Sequence, residues 1–187
     1  MPQHFFKLYD DVYVPRRWHL ATPTDGQGRE VDDWQFTEGR ALRIEGRLKI
    51  RVEHAGRPLD FAEAGLKIPV VHVKVASLFT ELAPQDVQLI PVDIEGQPDQ
   101  YLILVATRCV RCIDEKASRI RLWTHEDGVP EKVGRYRDVR DMRIDQERVG
   151  DAKVFRPWGW EGTLIVSGDI KSALTRMGAA GPKFTGV

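Results

Sequence analysis

The run YLILVA at residues 101–106, continuing into TRCVRCID, constrains this chain more than any other stretch. Its length and its β-branched content predict a strand at the centre of a sheet. The surrounding sequence agrees. VQLIPVDI (87–94) reads as a strand ahead of it, with EGQPDQ as the turn between. RALRIEGRLKIRVEH (40–54) alternates Leu42, Ile44, Gly46, Leu48, Ile50 and Val52 against Arg43, Glu45, Arg47, Lys49 and Arg51, which predicts a long strand with a charged outer face.

Helix signals are few and short. PLDFAEAG reads as one or two helical turns, and IPVVHVKV as an apolar strand after it. Ser77 is placed to cap a short helix through Leu82, stopped by Pro84. TLIVS reads as a strand, Ser167 as the cap of a helix to about Met177, Gly178 as its C′ residue and PKFTGV as a closing strand. Between residues 114 and 151, Gly128, Pro130 and Gly134 break any helical period, so two strands with long polar loops are expected. The resulting expectation is an α+β fold: a mixed, largely antiparallel sheet with a few short helices. Residues 1–70 form a β-rich N-terminal part and 71–187 an α+β part, the two sharing one core. One internal echo stands out. Residues 72–92 and 167–187 each run helix, break, short strand, and Leu82, Leu89 and Val92 match Met177, Phe184 and Val187 at constant offset. Identities are too few to separate duplication from coincidence.

The 187 residues are 42% hydrophobic and 30% charged, with zero formal net charge. That composition excludes a disordered or fibrous chain, and the neutrality removes any bulk attraction to nucleic acid or an anionic membrane. Charge is nonetheless segregated locally. Arg40, Arg43, Arg47, Lys49, Arg51 and Arg57 crowd one stretch, whereas Glu81, Asp86, Asp93, Glu95 and Asp99 fall in a segment, 75–107, without lysine or arginine. Such runs are either solvated faces or docking faces for an oppositely charged partner. No signal-peptide pattern opens the chain and no stretch approaches the ~20 apolar residues of a membrane span, so a cytoplasmic location is expected.

No motif nominates a catalytic set. Cys109 and Cys112 form a CxxC, but no second pair of ligands follows, and on a strand residues three apart face opposite ways. The pairs Asp10, Asp11 and Asp32, Asp33 fit loop solvation and capping better than cation binding, and His72 lies in an apolar run without a nucleophile at motif spacing. No cofactor and no metal is implied, and an enzyme is the least favoured class. VFRPWGWEG (154–162) asks for more. Trp158 and Trp160 are two apart, so on a strand both indoles form one slab, with Arg156 laid over a ring or paired to an acid. That slab is either an inter-sheet seam or a binding hot spot, for which tryptophan and arginine are the enriched residues.

Several stretches are similar to a known family: KLYDDVYVPRRWHL, GRPLDF (56–61), ELAPQDVQLIPVDIEG (81–96), CIDEKAS (112–118), KVFRPWGW, LIVSGDIKSAL and the closing KFTGV. In these the chain resembles immunity family eleven of bacterial polymorphic toxin systems, a former domain of unknown function abundant in myxobacteria, and the likeness covers almost the whole chain. The resemblance implies a cytoplasmic protein that binds and blocks a cognate toxin domain, for which a basic nuclease is the favoured class, in competition or kin discrimination between bacteria. It carries no catalytic residues. The first candidate contact face is Glu81, Asp86, Asp93, Glu95 and Asp99, whose carboxylates would mimic phosphates. The 125–138 loop with Glu126 and Asp127 is the second, and Arg156, Trp158 and Trp160 form the rim of the partner surface. A non-catalytic adaptor is the alternative.

Overall fold

A computed structural model describes residues 4–187; Met1, Pro2 and Gln3, at the start of the segment without a signal-peptide pattern, lie outside the described residues. Two helices and fourteen strands follow one another in an α+β arrangement. The first seven strands are β1 (Phe5–Asp10), β2 (His19–Leu20), β3 (Leu48–Ile50), β4 (Val52–His54), β5 (Phe61–Ala64), β6 (Ile68–His72) and, after helix α1 (Val73–Leu82), β7 (Val87–Ile94). Next come β8 (Tyr101–Ala106), β9 (Cys109–Val110), β10 (Arg119–Leu122), β11 (Tyr136–Arg140), β12 (Val154–Pro157) and β13 (Leu164–Ser167). Helix α2 (Gly168–Met177) and β14 (Pro182–Gly186) close the chain.

A seven-stranded sheet has the order β3-β7-β8-β6-β5-β2-β4, and a five-stranded sheet the order β14-β1-β13-β12-β9. A two-stranded ribbon, β10-β11, stands apart from both. Neighbours are antiparallel except β2 with β5, β3 with β7 and β9 with β12. The large sheet draws strands from both sides of residue 70.

The run at 101–106 is β8, antiparallel to β7 on one side and to β6 on the other, and all six residues are buried. Its pleat explains why every position is apolar. Tyr101, Ile103 and Val105 enter one core with Trp18, Phe36 and Leu59, while Leu102, Leu104 and Ala106 enter a second. That second core is filled from both sheets and both helices: Phe61 and Val71 meet Leu8, Val154 and Val166, with Phe79 and Leu174 from α1 and α2. A third core lies beyond the small sheet, where Phe5, Phe155 and Ile165 pack on Cys112, Val139 and Met142. The ribbon rests on this outermost layer. The sequence echo has a topological counterpart. β6 and β7, joined by α1, flank antiparallel β8; β13 and β14, joined by α2, flank antiparallel β1.

Three local expectations are corrected. The long strand at 40–54 exists only as β3 and β4: Gly46 takes φ +74° and turns the chain ahead of β3, and Arg51 separates β3, paired with β7, from β4, paired with β2. Ahead of it the Gln88 amide substitutes for a strand partner: its oxygen accepts from Leu42 N at 2.7 Å and its nitrogen donates to Leu42 O at 2.8 Å. IPVVHVKV is not one strand, since His72 ends β6 and caps α1 by accepting from Lys74 N at 3.1 Å. Ser77 therefore sits inside the helix, donating to Val73 O at 3.0 Å. PLDFAEAG is likewise no helix but the strand β5 with its approach. α2 has the span its sequence signals predict and Gly178 closes it at φ +68°, but Ser167, at the N-cap position, makes no side-chain cap hydrogen bond.

Candidate functional site

The acidic segment does not form one continuous face. Glu81 is exposed near the end of α1, whereas Asp93, Glu95 and Asp99 lie toward the far end of β7, an eight-residue strand. Asp86 is withdrawn from solvent at 4% exposure. Its carboxylate accepts from Lys153 N at 2.7 Å and Val154 N at 3.3 Å and pairs with Arg108 at 3.2 Å, so it ties the start of β7 to β12. Asp93 pairs with Arg47 at 2.8 Å and stands opposite Lys49 in the β3–β7 register. Glu95 accepts from Val52 N at 3.3 Å, and Asp99 lies 3.4 Å from His72 Nε2. The parallel pairing of β3 with β7 thus sets Arg47 and Lys49 of the basic run beside Asp93 of the acidic one, and the Arg47–Asp93 pair offsets part of each charge.

The other tempting residues have structural partners. Asp10 forms a buried ion pair with Arg17 and accepts from Glu63 N at 3.0 Å; Asp33 accepts from Leu66 N at 2.6 Å; Asp32 accepts from Trp34 N at 3.1 Å. Cys109 is exposed on β9 and Cys112 buried, both as free thiols, and burial pushes Cys112 up to about 12. Among the described residues no group of three or more His, Cys, Asp or Glu side chains is placed to hold a metal ion.

The tryptophans diverge instead of forming one slab. β12 ends at Pro157, Gly159 takes φ +83°, and Trp160 N donates back to Pro157 O at 3.0 Å, closing a tight turn. Trp160 packs against the third core, while Trp158 is 48% exposed. Arg156 lies over neither ring and within ion-pair distance of no acid. It is 1% exposed, its Nη1 donates to Glu161 O at 3.3 Å, and its Nε and Nη2 find no partner among the described residues. Burial lowers its pKa to about 10, an effect that the charge of Glu63 opposes. Glu63 itself is raised above the ordinary 4.5, first by burial and then by Asp10.

A pH dependence follows. Because the folded-state pKa of Glu63 is raised, its favourable contribution is complete below about pH 4.5 and is lost as pH rises through the folded value. Measured by thermal melts, the stability of Glu63→Gln relative to wild type is expected to improve steadily from pH 4 to pH 7. A flat difference across that range would contradict it.

Around Trp158 the surface opens into a cleft of about 720 Å³ between the ribbon and the 158–161 turn. Arg111, Trp123, Lys132, Arg135 and Tyr136 line it with Trp158. Gly159 makes the close approach possible, since a Cβ there would lie 2.8 Å from the Tyr136 ring. Tyr136 donates its hydroxyl to Glu115 at 2.6 Å, and burial with that carboxylate pushes the phenol up to about 12. The Arg111 guanidinium lies 4.7 Å from the Trp158 ring centroid; Arg137 and Lys132 lie 4.6 and 5.0 Å from that of Trp123. Asp127, from the predicted 125–138 loop, pairs with Arg137 and caps the turn at Thr124, whereas Glu126 is exposed. Sequence reasoning reached Trp158 and the 125–138 loop, but chose the loop's acids over Lys132, Arg135 and Tyr136, and it missed Arg111 and Trp123. For Trp123, Arg135 and Tyr136 the visible signal was the clustering of aromatic and basic residues in RLW and GRYR; Arg111, inside CVRC, had none.

No helix among the described residues is long and apolar enough to cross a membrane. No curated protein matches the sequence significantly. A family model described as Immunity protein family (Imm11) matches residues 11–187, nearly the whole length. This chain belongs to the Imm11 immunity protein family.

Proposed function

We propose that the protein binds its cognate toxin domain through the Trp158 cleft and blocks it, protecting the producing cell and its kin in the cytoplasm. The observation that carries the choice of surface is a half-exposed tryptophan set among Trp123, Tyr136, Arg111 and Arg135 in one concave region. Tryptophan, tyrosine and arginine dominate the few residues that supply most binding energy at protein interfaces. Family membership supports the toxin as partner.

A second reading rests on the exposed carboxylates of Glu95 and Asp99. Together with Asp93 they would occupy the phosphate site of a basic nuclease, the toxin class implied by the resemblance. Glu81 is too far along the chain from this end to be grouped with them, and Asp86 and Arg156 are excluded from either contact by burial.

The test is an inhibition titration of the purified toxin domain. Wild-type protein reduces toxin activity in proportion to its amount; Trp158→Ala fails to do so if the cleft is the contact, and Glu95→Lys with Asp99→Lys fails if the acidic end is. Binding without inhibition would instead mark an adaptor.

A further inference from the structure

We infer that the cleft takes an acidic segment of the toxin domain, a stretch of aspartate and glutamate around an apolar or aromatic anchor; this rests on the cleft being the contact surface. The hydrogen-bonding state of its lining decides the chemistry. Both carboxylates in the cleft already have donors: Glu115 accepts from Tyr136 at 2.6 Å and Glu161 from Gly159 N at 2.7 Å. By contrast, the side chains of Arg111, Lys132 and Arg135 make no hydrogen bond or ion pair among the described residues, and Arg111 and Lys132 lie over the faces of Trp158 and Trp123.

The cleft therefore presents three cationic side chains without a carboxylate partner beside two carboxylates, Glu115 and Glu161, that each accept one hydrogen bond from a neutral donor, and the balance is positive by one charge. An occupant must bring acceptors, and carboxylates match guanidinium groups in both charge and fork geometry. The open side of Trp158, covered on its other side by Arg111, supplies the apolar seat for the anchor. The neighbouring ribbon arginines add little attraction of their own. Arg119, Arg137 and Arg140 are each committed to an aspartate, at Asp141, Asp127 and Asp138. Within the ribbon and the cleft, the cations without a carboxylate partner are thus those of the cleft. Stacking and cations also suit single-stranded nucleic acid. A chain of zero net charge without a continuous basic stripe, in a family of immunity proteins, favours a protein segment.

The experiment measures toxin-domain affinity for the full chain and two variants from 0.05 to 0.5 M NaCl, with a fluorescein-labelled poly-L-glutamate and a labelled single-stranded oligonucleotide as probes. Arg111→Glu with Arg135→Glu, both at exposed positions, is expected to weaken toxin binding about 100-fold and to flatten its salt dependence. Wild type is expected to bind poly-L-glutamate measurably at low salt and the double variant not. If Trp158→Ala weakens the toxin complex while the double reversal leaves it within twofold, the cleft stands and the acidic occupant is wrong. If neither variant changes affinity, the cleft itself is wrong. Oligonucleotide binding tighter than poly-L-glutamate, and lost on reversal, would overturn the inference in favour of nucleic acid.

Discussion

Trp158→Ala is expected to weaken the toxin complex by about 2 to 4 kcal/mol, roughly 30- to 1,000-fold, while leaving the fold nearly intact. The two effects separate because of where the indole sits. It lies after the end of β12, 48% exposed, and its one resolved aromatic interaction is with Arg111. Losing that interaction costs about 0.5 to 1 kcal/mol of stability, a shift of a few degrees in Tm for a chain of this size. Calorimetry of binding alongside a thermal melt reads both quantities. Trp160→Ala is the informative contrast, because its ring packs with the third core and its loss falls on folding.

Asp86→Ala is expected to be the opposite kind of variant, destabilising by about 3 to 5 kcal/mol and lowering Tm by roughly 10 °C. The carboxylate joins the loop before β7 to Lys153 and Val154 of the small-sheet layer, and it balances Arg108. Truncation leaves two backbone donors and part of a guanidinium without their acceptor, inside the junction of the two sheets. Asp86→Asn keeps an acceptor but not the charge and should lose about half as much. Asp93→Ala removes an exposed pair with Arg47 and should change stability by less than about 1 kcal/mol. Denaturant melts of the three variants give the ranking, and equal values for Asp86→Ala and Asp93→Ala would contradict it.

What the sequence made legible was local. The six apolar residues of β8, the strand β7, the span and terminating glycine of α2 and the closing strand are all written in adjacent residues, and the structure has them. The errors arise where a distant residue decides. Alternation at 40–54 looked like one strand, yet Gln88, 46 positions away from Leu42, supplies the backbone partners that a strand neighbour would have supplied. Opposite charge runs looked like separate faces, yet the parallel pairing of β3 with β7 puts Lys49 against Asp93.

The site was legible in the same partial way. Trp158 announced itself by cost, as one of five tryptophans held in a glycine-centred turn. Its neighbours could not be read, because Trp123 and Tyr136 reach it only after the ribbon folds back and Gly159 admits the phenol ring. Burial of Asp86 and Arg156 was equally hidden, since charged residues are expected outside unless the fold provides partners.

The inhibition titration tests the central claim most directly: wild type and Trp158→Ala, each shown folded by its melt, added stepwise to the active toxin domain. Complete loss of toxin activity at one equivalent of wild type, with Trp158→Ala requiring a large excess, is the result predicted. Undiminished activity in the presence of excess wild type, or identical curves for the two proteins, would contradict it.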